Sequence, residues 1–99
     1  MAYKLRFHEL AWAEWQKLDG SIKTPLKKKL LERLEQPRVP SAALSGMTDC
    51  YKIKLRQAGY RLIYRVDDDV VTVSVIAVGK RDKLAAYTTA GQRLSDQIK

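Results

Sequence analysis

Apolar and polar residues alternate at the start of the chain, where Tyr3, Leu5 and Phe7 are interleaved with Lys4 and Arg6. That period of two predicts a half-buried strand over residues 2–7. From Glu9 the spacing changes to Ala11, Trp15, Leu18 and Ile22, with Trp12 beside them, and predicts a helix. Asp19 and Gly20 interrupt it. Ser21 is a fair N-cap for a second helix carrying Ile22, Leu26, Leu30 and Leu34, with Pro25 read into its tolerated first turn. Residues 36–49 hold two prolines and a glycine without periodicity and predict a connecting loop.

Three segments rich in Tyr, Ile, Leu and Val follow at residues 50–57, 60–66 and 70–78, separated by "QAG" and "DDD". They predict an antiparallel meander. From Asp82 the residues Leu84, Tyr87, Leu94 and Ile98 recur at helical intervals, although Thr88, Thr89 and Gly91 form helix poorly, so a marginal last helix is expected. The fold class is α+β, with a strand, a helical hairpin, a three-stranded meander and a C-terminal helix in one domain spanning residues 1–99.

The meander has one unusual face. In "CYKIKLRQAGYRLIYRV" Tyr51, Ile53, Leu55, Tyr60, Leu62 and Tyr64 point one way, while Lys52, Lys54, Arg56, Arg61 and Arg65 share the other face with Ile63. An even loop of Ala58 and Gly59 would set Arg56 opposite Arg61, Lys52 opposite Arg65 and Leu55 opposite Leu62. Continued through the aspartate turn, the same parity places Thr72 and Ser74 on the cationic face and Val71, Val73 and Val75 in the core. Residues 50–65 carry five cations and no acid, with Lys80, Arg81 and Lys83 following. Like charges across a sheet cost roughly 0.2–1 kcal/mol per pair, so the arrangement implies an anionic occupant.

The whole chain supports the same direction, with 19 Lys+Arg against 11 Asp+Glu and a formal charge of +8. A polyanionic partner such as nucleic acid, ribosome or acidic protein fits that balance. A lone Cys50 excludes an internal disulfide and a Cys-rich metal site, and no metal-ligand spacing or phosphate-cradling glycine loop is present. No cofactor is expected. There is no apolar leader and no run of about 18 apolar residues, so a soluble cytoplasmic protein without membrane attachment is expected. His8 reads as the polar start of the first helix, and the lysine run at 27–29 as its neighbour's solvated face.

Taken together, "GMTDCYKIKLRQAGYRLIYRV" and "VIAVGKRDKLAAY" resemble the RelE toxins of the RelE/ParE superfamily, and "AYKLRFHELAWAEWQKL" and "LKKKLLERLEQPRV" occur in that family's order. The resemblance implies a compact sheet, like that of microbial ribonucleases, with helices packed on one face. It also implies a toxin of a type II toxin–antitoxin system, held by a RelB-like antitoxin, that enters the ribosomal A site beside rRNA and cuts mRNA there. Operator DNA would be met only through the antitoxin complex. By matching position, the resemblance puts the catalytic residues at Lys52, Lys54, Arg61, Arg81 and Tyr87. Arg56, Arg65, Lys80 and Lys83 then stand as RNA-binding candidates. Ser45 in "LSGM" departs from the basic residue often found there. With His8 as the only histidine, a histidine acid/base pair is excluded and catalysis must use Lys, Arg and Tyr. Lys52 and Lys54 are the pair that supplies the base, Lys54 being favoured. The alternatives are a ParE-like, non-enzymatic gyrase inhibitor and a non-cleaving nucleic-acid-binding module.

Overall fold

The computed structural model describes residues 2–80. The elements run β1 (Lys4–Phe7), α1 (Glu9–Gln16), α2 (Gly20–Glu35), a 3-10 turn (Pro40–Ala42), β2 (Cys50–Leu55), β3 (Tyr60–Asp67) and β4 (Thr72–Lys80). The expected tail helix, and with it Arg81, Lys83 and Tyr87, lies outside the described residues.

The three late strands form the expected antiparallel meander, and β1 joins it in parallel beside β4, giving the order β1-β4-β3-β2. The helical hairpin is thus the crossover between β1 and the meander. Both helices cover one face. Leu26, Leu30 and Leu34, one turn apart on α2, pack with Ala11 and Trp15 of α1 against Ile53, Leu62, Tyr64, Val66, Val73, Val75 and Val78. Phe7 ties the entry strand to α1 through ring contacts with Trp12 at 5.1 Å and Trp15 at 5.5 Å.

The helix boundaries differ from the expected ones in an instructive way. His8 caps α1, its Nδ1 accepting from the Leu10 N–H at 3.1 Å. Asp19, not Ser21, caps α2: its carboxylate accepts from the Ser21 N–H at 3.1 Å and from the Ser21 hydroxyl, since a carboxylate can take both donors. The helix therefore begins at Gly20, and Pro25 sits inside it, where its missing N–H removes one helical hydrogen bond.

The hairpin register is corrected by two residues. Its turn holds four residues, Arg56 to Gly59, with Gly59 at φ 70°, so the pairs are Lys54 with Arg61, Lys52 with Ile63, Cys50 with Arg65 and Leu55 with Tyr60. Four is even, as two is, so the parity and the division into faces survive. In β4, Val73 and Val75 are buried in the core as expected, and Ser74 stands beside Arg65. Val71 does not: it lies in the turn before β4, exposed and at φ 49°.

The cationic face is not bare. A bulge opposite Ile63 and Tyr64 places Ile76 as an extra residue, and Ile63, Ile76 and Ala77 form a second buried cluster beneath Leu44 and Met47. The loop that supplies this cover is fastened at its ends. Arg38 bridges Asp49 at 2.9 Å and Asp68 at 2.7 Å, and Tyr3 donates to Asp68 at 2.6 Å. The single isoleucine of the basic face is thus an anchor for the loop.

Candidate functional site

β2 sits at the sheet edge, where unpaired backbone carbonyls must find donors. Leu44 N–H donates to the Cys50 carbonyl at 3.0 Å, Arg33 Nη1 to that of Lys52 at 3.2 Å, and Lys29 Nζ to that of Lys54 at 3.3 Å. Two cations of α2 therefore reach the strand that carries Lys52 and Lys54. The reading of residues 27–29 as a merely solvated run misses this for Lys29. Lys29 and Arg33 are four apart and flank the Leu26–Leu30–Leu34 stripe, a spacing that puts them on one side of α2 without showing what they meet.

Arg33 is held in turn. Its Nη1 also donates to the Tyr64 hydroxyl at 2.9 Å, and that hydroxyl donates to the Pro37 carbonyl at 2.7 Å. The Tyr64 ring is fully buried and stacks on Tyr51 with centroids 5.7 Å apart. This hub joins α2, the following loop, β2 and β3 beneath the basic face.

On that face Lys54 lies directly across from Arg61, with Lys52 two residues along the same strand and Arg56 just beyond its end. Lys54 and Arg56 line two hollows. One, of ≈ 370 Å³, is lined by Lys29, Arg33, Ser41, Lys52, Lys54 and Arg56 among others. The other, of ≈ 230 Å³, is lined by Lys54, Leu55, Arg56, Tyr60 and Arg61. Beyond Arg61 the cross-strand neighbour is Gly79, and no side chain of the described residues stands where its Cβ would be. Among the described residues, nothing covers the floor at this point.

The crowding acts on one amine in particular. The Lys54 ammonium is pulled below its ordinary pKa by the Lys52 charge first, then by partial desolvation, then by Arg61 and Arg56. A lysine whose charged form is disfavoured by neighbours is the better proton acceptor near neutrality. The structure thus brings together Lys52, Lys54, Arg56 and Arg61. Arg65 stands apart, four residues and roughly 13 Å along β3 from Arg61. Lys80, exposed at the end of β4, pairs with Tyr60 on the rim. No cluster of His, Cys, Asp and Glu suited to a metal occurs among the described residues, and none of their helices is long and apolar enough to cross a membrane.

The family model for the ParE toxin of the type II toxin-antitoxin system parDE matches residues 5–85. The mRNA interferase toxin RelE of Escherichia coli is 53% identical over 94 residues, covering 95% of this chain and 99% of that protein. The chain belongs to the RelE/ParE toxin family. Solved members have the same fold. A free E. coli RelE carrying two arginine-to-alanine substitutions superimposes with a TM-score of 0.88 at 52% identity, covering 95% of this chain and 99% of its own. RelE in the intact E. coli RelBE toxin–antitoxin complex gives 0.79 at 57% identity, covering 80% and 96%. In this member of the family the cationic face is built by β2 and β3, with α2 closing the open edge.

Proposed function

We propose that this chain is the toxin of a type II toxin–antitoxin pair and an mRNA interferase: an endoribonuclease that cleaves mRNA in the ribosomal A site and so stops translation. The observation that carries the reading is Lys54, facing Arg61 and flanked by Lys52, with its ammonium destabilised by that company. The 2′-OH of the RNA attacks the adjacent phosphorus and passes its proton to neutral Lys54. The bond from phosphorus to the 5′-oxygen breaks and that oxygen takes a proton from water, leaving a 2′,3′-cyclic phosphate and a 5′-hydroxyl. Lys52 keeps Lys54 deprotonable. Arg61, whose planar fork matches phosphate oxygens, stabilises the charge that builds on them. Arg81 assists the departing oxygen and Tyr87 stacks on the splayed base, roles that rest on family resemblance. Arg56, Arg65, Lys80 and Lys83 hold neighbouring phosphates.

A substrate held by cations alone carries little sequence information, so orientation must come from elsewhere, and the ribosome supplies it. The partners are a RelB-like antitoxin, the ribosome with its rRNA, and mRNA, all in the cytoplasm. Operator DNA is met through the antitoxin complex. The test is primer extension on an mRNA under translation, with the wild type, Lys54→Ala and Arg81→Ala. Cuts in register with codons, lost in the variants and absent without ribosomes, are expected.

The matched family model is described for ParE, and this favours a second reading as a gyrase inhibitor. A purified protein that blocks gyrase supercoiling and leaves translated mRNA intact would establish that reading in place of the first.

A further inference from the structure

A second basic niche lies on the same face, beyond the Ile63–Ile76–Ala77 cluster from Lys54. Arg6 of β1 and Arg65 of β3 both pair with Ser74 of β4, so three adjacent strands present an arginine, a serine and an arginine in one row. Strands stand roughly 4.8 Å apart, which puts the two arginine backbones about 10 Å from each other over a short hydroxyl. These residues line a hollow of ≈ 230 Å³ together with Phe7, His8 and Asp67. Arg6 is exposed, and Arg65 and His8 are half-buried. His8 Nδ1 accepts from the Leu10 N–H, so in the neutral ring the proton is on Nε2, which is free to donate.

We infer that this niche is a second RNA-backbone site, in which Arg6 and Arg65 clamp one phosphodiester over the Ser74 hydroxyl and Asp67 accepts from the neighbouring ribose 2′-OH. The inference rests on the reading that this face holds RNA. Two guanidinium forks on either side of a hydroxyl donor suit a phosphate's several acceptor oxygens. Asp67 is the element that points to RNA. An acid beside two arginines opposes a plain polyanion, yet a carboxylate is an acceptor for the one donor that ribose adds to the backbone. Asp67 Oδ1 accepts from the Asp69 N–H, which leaves Oδ2 for that contact. The niche lies roughly 13 Å along β3 from Arg61, so a strand bound at Lys54 and Arg61, or an rRNA segment beside it, reaches both places. It thereby fixes the direction in which RNA lies across the sheet.

The experiment measures binding against salt for the wild type, Arg6→Gln/Arg65→Gln and Lys52→Gln/Lys54→Gln, using vacant ribosomes and ribosomes programmed with mRNA. The niche variant is expected to bind about tenfold more weakly, with a log K against log salt slope shallower by about 0.7–0.9, the contribution of one phosphate. A deficit equal in both arms assigns the phosphate to rRNA; a deficit only on programmed ribosomes assigns it to the message. Arg65→Gln alone and Asp67→Asn serve as second variants, and Asp67→Asn is expected to narrow the preference for a single-stranded RNA over the same sequence as DNA. Unchanged affinity and slope in the niche variant, while the Lys52/Lys54 variant is weakened, overturns the niche and leaves the RNA reading standing. A wild type that binds neither ribosome overturns both.

Discussion

Tyr64 is the residue through which the fold and the basic face are most tightly joined, and its hydroxyl can be removed without disturbing the ring. In Tyr64→Phe the stack on Tyr51 is kept, while the Arg33 Nη1 donation at 2.9 Å and the donation to the Pro37 carbonyl at 2.7 Å are lost. A hydrogen bond to a charged donor contributes about 1.5–3 kcal/mol and a neutral one about 0.5–1.5 kcal/mol. The lower end applies here because Arg33 is half-buried, keeps Lys52's carbonyl and can recruit water. The expected loss is about 2 kcal/mol. For a domain of this size that is a fall in Tm of about 8–16 °C. Urea unfolding of Tyr64→Phe, Arg33→Met and the double variant forms the assay, and a coupling of about 1–2 kcal/mol is expected between two residues that share one bond. Cleavage by Arg33→Met should also fall below the level explained by its folded fraction, because the Lys52 carbonyl loses its donor. A loss under about 0.5 kcal/mol, or strictly additive effects, would refute the hub.

Four further outcomes are expected. Because Lys52 is the largest cause of the lowered Lys54 pKa, Lys52→Ala should move the rising limb of the single-turnover cleavage rate to higher pH; a limb that stays in place excludes Lys54 as the titrating base. Burial pushes the Cys50 thiol up to about 11, so the folded protein keeps it protonated where the unfolded chain ionises. Stability should therefore decline between about pH 9 and 11, and the part due to this group should vanish in Cys50→Ala, read from urea midpoints. Val71 is β-branched at φ 49°, so Val71→Asn should raise stability by about 1 kcal/mol, measured by thermal melting. Adding salt from about 0.05 to 0.5 M should raise the Tm of the free protein, since repulsion across the hairpin is screened; a falling Tm would contradict the claim that like charges strain this face.

The division of the hairpin into an apolar and a cationic face was legible because alternation survives any even loop. The register was not, since two and four loop residues preserve the same parity and only the backbone at Gly59 distinguishes them. Strand pairing in the meander was legible from short connections. The parallel pairing of β1 with β4 was not, because the sequence between them says nothing about where an entry strand returns. The start of α2 was misplaced by the competition between two good capping residues, Asp19 and Ser21. In the site, Lys52, Lys54, Arg56 and Arg61 were legible as a set. Arg33 and Lys29 were missed because a helix surface cation looks the same whether it meets water or a sheet edge. The burial of Ile63 needed a loop to fold over it, which no local pattern encodes.

The basic face sets two demands against each other. Lowering the proton affinity of Lys54 requires cations close by, and those same cations repel across the Lys54–Arg61 pair. Adding Lys29 and Arg33 at the edge of β2 increases the positive charge, so their role cannot be neutralisation; they satisfy the carbonyls of Lys54 and Lys52 instead. Fixing the main chain this way prevents the strand from relaxing outward, the motion that would relieve repulsion and restore an ordinary lysine. The buried Ile63 cluster under Leu44 and Met47 opposes the same motion from the middle of the face. The perturbed amine is therefore maintained by neutral interactions, namely backbone hydrogen bonds and apolar burial, acting against electrostatics. An anion on the face would remove the conflict, so binding of RNA is expected to stabilise the fold.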